Sequence, residues 1–165
     1  KWYREEFPDA TYASKLADGE DEIGVFKATD DKLLLRGVVT PDDGFSRTEL
    51  EYEPGATILD FPLTESSSWT SESDVSGWYL GGWWTATEEY QSQVDARGIV
   101  ETPYGDFDAL RVRTTLTRTV GLSVTTIRTF SFVTECFGTV ATITSTDNED
   151  DVEFTEAAEI RRLSR

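Results

Sequence analysis

The feature that most constrains this chain is a series of long segments in which apolar and polar residues alternate, each ending at a short turn. The clearest is FDALRVRTTLTRTV, in which Leu110, Val112 and Leu116 share one face while Arg111 and Arg113 lie on the other. One apolar face and one solvated face are typical of strands in an antiparallel sheet. Turn signals such as TDD, PDDG, GG and PYGD separate the segments and predict hairpins between them.

The alternation begins at Ile23, and no long amphipathic helix interrupts it. A meander of this length must curl or close to cover its apolar face. We therefore predict an all-β fold with little helix, a single antiparallel meander curled into a half-barrel or barrel-like sheet. Residues 1–22 are predicted to be a polar, acidic N-terminal extension, and residues 23–165 the antiparallel β domain. The segment FTEAAEIRRL is interpreted as a final strand rather than a helical turn.

The alternation also predicts which side chains form the core. The single cysteine, Cys136, excludes an internal disulfide, and we expect its thiol to be buried in a strand. The alternative is an intermolecular bond through the same thiol. The side chains predicted to be mostly buried are Trp69, Phe107, Leu110, Val112, Leu116, Phe130, Phe132 and Val140.

The balance of acidic and basic residues limits which classes of molecule the protein can bind. Thirty-two acidic residues against 15 basic ones give a net charge of −17, which disfavours nucleic acid because phosphate contacts need a basic surface. The balance fits a source in concentrated salt, which screens self-repulsion, or an ordinary acidic exported protein. No stretch has the roughly 18 apolar residues of a membrane span, so we expect no transmembrane segment. A start at Lys1 leaves room for a signal segment or a lipid anchor ahead of it.

An unusual aromatic stretch, GWYLGGWW at residues 77–84, is the candidate contact site. A two-residue turn at Gly81 and Gly82 would place Tyr79 and Trp84 on one face of a hairpin. Trp78, Leu80 and Trp83 would then lie on the other face. Such a hairpin is open to two interpretations. A curled sheet could bury both sets, or one set could form a surface that stacks sugars, accepts an apolar ligand or anchors a partner chain. The ligand- or partner-contact residues are predicted to be Trp78, Tyr79, Trp83 and Trp84.

Residue types needed for common catalytic chemistry are missing. Without histidine there is no Ser-His or Cys-His pair, and no GxSxG elbow occurs. No glycine loop that cradles phosphate is present, and zinc sites built on Cys and His are excluded by count, so we expect no cofactor and no metal. An enzyme is the least favoured class.

Carboxylate pairs are the remaining route to acid–base chemistry or to calcium. Glu88 with Glu89, and Asp106 with Asp108, are nearby pairs, but such pairs arise by chance among 32 acidic residues. In the loop DNEDD, residues 147–151, three acids alternate as calcium ligands do, yet the glycine and the distal glutamate of a calcium loop are out of register. We interpret this loop as solvated.

Three stretches carry a resemblance to known proteins. FPLTESSSW, VDARGIVETPYGDFDALRVRT and RTFSFVTECFGTVATITS resemble segments of exported bacterial proteins of unknown function, many of them predicted lipoproteins. The similarity covers about residues 57–165. It implies a curved antiparallel sheet, related in shape to the half-barrels that carry lipoproteins, and a location in the periplasm or at the cell surface. It implies no catalytic residues.

These expectations combine into one functional hypothesis. We expect a non-enzymatic exported or cell-surface protein that acts through contacts with other protein chains. The alternative is a periplasmic or surface binding module for a lipid, another apolar ligand or a glycan. The two differ in where the apolar side chains lie, because ligand pockets are concave whereas contact surfaces are exposed.

Overall fold

A computed structural model describes residues 1–17 and 21–164 of the chain. The three residues 18–20 of the predicted extension and the terminal residue 165 lie outside the described residues. The elements, in chain order, are α1 Tyr3–Glu6, β1 Tyr12–Lys15, β2 Ile23–Ala28, β3 Lys32–Val39, β4 Glu49–Asp60, β5 Ser68–Tyr79, β6 Gly82–Thr102, β7 Gly105–Val120, β8 Ser123–Thr134, β9 Gly138–Ser145 and β10 Ala157–Arg162.

The strands form one antiparallel meander, in the order β1 to β10 with each strand hydrogen-bonded to the next. Strand accounts for 65% of the described residues and helix for 2%, so the predicted all-β class with little helix is confirmed. The final segment is also a strand as predicted, since β10 pairs with β9 around Ile160 and Ile143. Short turns explain this order between β2 and β3 and from β5 to β9, because a tight hairpin returns the chain beside the strand it has just left.

Packing contacts group the chain into two compact units. Unit 1 contains residues 1–61, 71–88 and 119–122, and unit 2 contains residues 62–70, 89–118 and 123–165. The long strands β5, β6 and β7 therefore contribute residues to both units. The division expected from sequence, into 1–22 and 23–165, stays a prediction.

The core of unit 1 draws on residues from the predicted extension. Tyr3 and Phe7 are buried together with Ile23, Val25 and Val39. β1 also pairs with β2, so this segment adds a strand as well as two aromatic side chains. The Phe7 ring fits against β3 because that strand carries Gly37, where a Cβ atom would lie 2.3 Å from the ring.

The core of unit 2 contains three of the eight side chains predicted to be mostly buried. Val112, Phe130 and Val140 are buried, whereas the other five, Trp69, Phe107, Leu110, Leu116 and Phe132, are only partly covered. The reason lies in β7, where nearly every residue after Val112 is partly covered, on both faces of the strand. A face expected to be solvated is thus partly covered.

Part of that cover comes from residues 146–156, the connection between β9 and β10. The Asn148 side chain accepts a hydrogen bond from the Thr126 N–H, and the Asn148 N–H donates to the Thr126 carbonyl. Farther along, Phe154 stacks on Phe130 with ring centroids 5.1 Å apart. Residues 147–151 are mostly exposed, as predicted for a solvated loop, while contacts of Asn148 and Phe154 dock the wider connection 146–156 on β8.

Candidate functional site

The aromatic hairpin forms between β5 and β6, but its turn is one residue earlier than predicted. Leu80 and Gly81 are the two turn residues, with φ of 48° and 83°, and Gly82 already belongs to β6. Positive φ at both central positions suits a two-residue hairpin turn. Leu80 accepts an unusual backbone conformation, so something outside the turn must set its position.

Pairing with β4 sets that position. Glu49 lies opposite Trp78, and Leu50 lies opposite Gly77. Gly77 has φ of 149°, and a Cβ atom there would be 1.9 Å from the Glu49 carbonyl oxygen. Only glycine fits this close approach, so β5 cannot slip along β4. The turn thus lies at Leu80 and Gly81, at the end of a strand whose register on β4 Gly77 fixes.

The aromatic rings share faces as predicted. Trp78 and Trp83 meet edge to face with centroids 6.2 Å apart, and Tyr79 and Trp84 lie 6.1 Å apart. Trp84 is half-buried, whereas Trp78, Tyr79 and Trp83 are 41%, 39% and 67% exposed. The interpretation in which the protein buries both sets is therefore wrong.

Two further exposed apolar side chains lie at the same end of the hairpin. Leu80, in the turn, is 70% exposed, and Phe45, in the connection between β3 and β4, is 87% exposed. A Cβ atom on Gly81 would lie 3.2 Å from the Phe45 ring, so the connection and the turn are neighbours. We call Phe45, Trp78, Tyr79, Leu80 and Trp83 the aromatic tip. The sequence analysis missed Phe45, although a lone phenylalanine in the polar run PDDGFSR was a usable signal.

The connection that carries Phe45 is anchored at its base. The Thr40 N–H donates to the Thr48 carbonyl, which closes the loop, and the Trp2 indole N–H donates to the Thr40 carbonyl at 3.2 Å. Arg47 lies over the Trp2 ring, 6.0 Å from its centroid, and pairs with Glu49 at 2.7 Å. These contacts fix the base of the connection from which Phe45 projects.

A second candidate site is a pocket of about 460 Å³ within unit 2. Its volume falls in the range of ligand pockets, roughly 300–1,000 Å³. Sequence analysis did not find this site, because its residues come from four strands and one connection spread over 85 positions of the chain. The pocket is lined by Ser68, Trp69, Thr70, Gln91, Ser92, Gln93, Arg113, Thr115, Arg128 and Val152.

Two guanidinium groups in this pocket are held in place by neutral acceptors. Arg128 donates to the Glu149 carbonyl at 2.9 Å, to the Asp150 carbonyl and to the Thr115 hydroxyl. Arg113 donates to the Gln93 amide oxygen at 3.2 Å. These bonds to neutral oxygens orient both guanidiniums without cancelling their charge, and Arg113 also lies 3.7 Å from the Asp95 carboxylate.

A neighbouring arginine takes up the nearby carboxylates. Arg111 makes paired hydrogen bonds to Asp95, at 2.7 and 3.1 Å, and to Glu153, at 3.0 and 2.7 Å. Its guanidinium also lies 4.5 Å from the Phe130 ring centroid. The hydrogen bonds to Asp95 and then Glu153 raise the pKa of Arg111 above its usual range. Arg111 is therefore structural: it ties β6, β7 and the last connection together.

The carboxylates singled out in the sequence lie in different surroundings. Glu88 is fully buried and its neighbour Glu89 is partly exposed, and successive strand residues point to opposite faces. Asp108 accepts two hydrogen bonds from Arg97, which lower the pKa of Asp108. Among residues 1–17 and 21–164, no group of three side chains is arranged to hold a metal ion. No helix in that part of the chain is long and apolar enough to cross a membrane.

The prediction for Cys136 is wrong. The chain reverses at residues 135–137, so β8 ends at Thr134 and the thiol is exposed in the turn, with φ of 71°. Next to it, Phe137 contacts Phe107 and Tyr104, with centroids 5.2 and 6.2 Å away. These rings form a second, smaller aromatic cluster, in unit 2, which serves below as a control for the aromatic tip.

Comparisons with family models, with curated proteins and with solved structures found no match to this chain. The resemblance to exported bacterial proteins over residues 57–165 therefore stays a prediction.

Proposed function

We propose that this chain is a non-enzymatic exported or cell-surface protein that binds another protein chain through the aromatic tip. The observation that carries the proposal is the exposure of five large apolar side chains at one place on unit 1. Single exposed apolar residues are ordinary, but several gathered at the end of one hairpin, with Trp78 and Trp83 on one face and Tyr79 on the other, mark an interaction surface. The mean hydropathy of the whole chain is −0.42, so the tip contrasts with its surroundings.

The chemistry of the tip suits a protein partner. Tryptophan and tyrosine supply large contact areas with few rotatable bonds, and they dominate the binding energy of protein interfaces. The edge-to-face contact of Trp78 with Trp83 fixes the rings in advance, which lowers the entropic cost of binding. The net charge of −17 disfavours an acidic partner, so the matching surface is expected to be apolar at its centre and neutral or basic at its rim.

A photoreactive amino acid in place of Leu80 tests the proposal in the cells that make the protein. The expected product is a covalent adduct with one protein, in the fraction that holds exported or surface proteins. Trp83→Ser should reduce that adduct at least tenfold. Tyr104→Ser is the matched control, because it removes an exposed aromatic ring from the cluster in unit 2, and it should leave the adduct unchanged.

Two results would overturn the proposal. Adducts with lipid or glycan alone would make the tip a ligand-binding surface. Adducts that Trp83→Ser and Tyr104→Ser reduce equally would show nonspecific contact. Once the partner is purified, Trp83→Ser should weaken its binding by about 2 kcal/mol or more, the usual size of a central aromatic contact.

A second candidate function is binding of a small ligand, and the pocket of unit 2 is the observation that favours it. The alternative expected from sequence named lipids, other apolar ligands and glycans. The pocket is walled mainly by amide, hydroxyl and guanidinium groups, with Trp69 and Val152 as its large apolar members. Such a wall suits a polar ligand and not a lipid chain.

A further inference from the structure

We propose that the pocket of unit 2 binds a carboxylated sugar, a uronate unit of an acidic polysaccharide. The proposal concerns a different surface from the aromatic tip and does not depend on it. It rests on three features of the pocket: two positively charged guanidiniums, a tryptophan, and side-chain amides that other contacts hold in place.

The charge of the pocket is opposite to that of the chain. The residues that line the pocket include Arg113 and Arg128 and, within the described part of the chain, no Asp or Glu. Acids outnumber bases by 32 to 15 over the whole sequence, so a wall with two bases and no acid goes against the composition. Arg113 lies 3.7 Å from the Asp95 carboxylate, which Arg111 holds more closely at 2.7 Å, and Arg128 contacts Glu149 and Asp150 through their backbone carbonyls. An anion is the ligand that such a wall attracts.

Both guanidiniums are oriented before any ligand arrives. Arg128 is held by two backbone carbonyls and by Thr115, and Arg113 is held by Gln93. A planar guanidinium bonds a carboxylate through parallel N–H donors, and pre-orientation reduces the entropy lost on binding. The two oriented arginines therefore offer a carboxylate positive charge and the N–H donors that these contacts leave over.

The rest of the wall suits the sugar ring to which the carboxylate is attached. Trp69 supplies an aromatic face, on which the C–H groups of a pyranose can pack. Gln91 donates to Glu89 and the Gln93 oxygen accepts from Arg113, so each amide keeps hydrogen-bonding groups in a set direction. An amide has both donors and acceptors, as vicinal hydroxyls require. Ser68 and Thr70 add hydroxyls on the adjoining strand.

The net charge of the chain also favours a uronate over a phosphate as the ligand of this pocket. The field of a chain with net charge −17 opposes every anion, and it opposes a dianion about twice as strongly as a monoanion. A uronate carries one negative charge per sugar. Hydrogen bonds to its hydroxyls and packing of its ring offset the repulsion by the net charge of the chain. Inorganic phosphate has neither hydroxyls on a ring nor an apolar face to offer this pocket.

Titration calorimetry with uronate oligomers tests the proposal on the full chain. The probes are tetramers of galacturonate, glucuronate and mannuronate, with maltotetraose as the neutral comparison. We expect at least one uronate to bind at least tenfold more tightly than maltotetraose. Binding should also change the tryptophan fluorescence, and Trp69→Phe should remove most of that change.

A matched pair of variants locates the binding site. Arg113→Gln should weaken uronate binding at least tenfold. Arg97→Gln removes the same charge from unit 2 outside the pocket, where Arg97 pairs with Asp108, and should leave binding unchanged. Thermal melting of both variants shows whether each is folded at the temperature of the titration. Trp83→Ser, in the aromatic tip, should also bind normally.

Three results would overturn the proposal. The first is that none of the three uronates binds. The second is equal binding of maltotetraose, which would make the pocket a neutral sugar site. The third is an equal effect of Arg113→Gln and Arg97→Gln, which would reduce the binding to the net charge of the chain. If uronate binds as expected and photo-crosslinking at Leu80 fails, this proposal stands without the proposed protein partner.

Discussion

The aromatic tip of unit 1 and the pocket of unit 2 are built in opposite ways. Four of the five residues of the tip are neighbours in sequence, at positions 78, 79, 80 and 83, so one hairpin places them together. The pocket gathers residues from position 68 to position 152, and strand pairing plus a docked connection must form before it exists. A site made by one hairpin can be found from sequence, whereas a site made by a whole sheet cannot.

The sharpest test of this contrast is the close contact that sets the hairpin. Gly77→Ala should destabilise unit 1 by about 4 kcal/mol or more, because the new Cβ would collide with the Glu49 carbonyl and the backbone has positive φ. Gly98→Ala is the control in unit 2: a Cβ there meets nothing within 4 Å, and the cost should stay within about 0.5 kcal/mol. Urea denaturation measures both. Equal effects would mean that Glu49 and Gly77 do not set the register.

The next largest effect is expected in the core of unit 2. Phe130→Ala should cost about 3–5 kcal/mol, because the ring is buried and contacts both Phe154 and Arg111. Phe132→Ala should cost clearly less, since that ring is only partly covered. Chemical denaturation of the two variants gives the order, and a larger loss for Phe132→Ala would contradict the register of β8.

The clamp that joins β6, β7 and the last connection should contribute less. Arg111→Gln leaves Asp95 and Glu153 without their shared cation, and we expect a cost of about 2 kcal/mol, below that of a fully buried pair. Arg97→Gln breaks an exposed pair with Asp108 and should cost less than about 1 kcal/mol. Hydrogen exchange at residues 146–156 should speed up in Arg111→Gln alone. Unchanged exchange there would show that Arg111 does not hold the connection.

The aromatic tip itself should matter little for stability. Trp83→Ser exchanges a largely exposed ring for a hydroxyl, so its free energy of unfolding should stay within about 0.5 kcal/mol of the parent. A melting curve checks this. A loss above 2 kcal/mol would mean that the ring serves the fold, and the proposed contact role would lose its main support.

The smallest effects are electrostatic, with one ion pair in each unit. A hydrogen bond from Lys27 lowers the pKa of Asp9 below its ordinary value of 3.8, and one from Arg97 does the same for Asp108. A lowered folded pKa gives stability that is present above the unfolded pKa and is lost as the pH falls through the folded value. Both carboxylates should therefore titrate below pH 3.8 when followed by carbon NMR. Titration of either one at or above that value would show that its ion pair does not form in solution.

Several features of the fold follow from short stretches of sequence. Alternation with period two predicted the strands, and tight turns predicted the antiparallel order of neighbours, because both depend on residues close in the chain. The same local pattern predicted that Trp78 shares a face with Trp83, and Tyr79 with Trp84. Moving the turn by one residue changes the residue opposite each position by two. Because strand side chains repeat every two residues, both ring pairs stay on common faces.

Other features depend on contacts between distant residues. Tyr3 and Phe7 belong to a polar segment, and they become core residues by packing with Ile23, Val25 and Val39. Cys136 lies outside the core because β8 ends at Thr134, a boundary that its pairing with β9 decides. Local pattern could not reveal either outcome.

The sequence by itself determined an acidic, antiparallel β protein with an aromatic hairpin, because composition, alternation and turn residues act over a few positions. Only the tertiary structure decided the register that puts Leu80 in the turn, the exposure of the aromatic tip, and the union of Trp69, Arg113 and Arg128 in one pocket. The physical reason is that each of these depends on which strands pair and on how residues 146–156 dock. Those choices come from steric and hydrogen-bonding contacts between residues tens of positions apart.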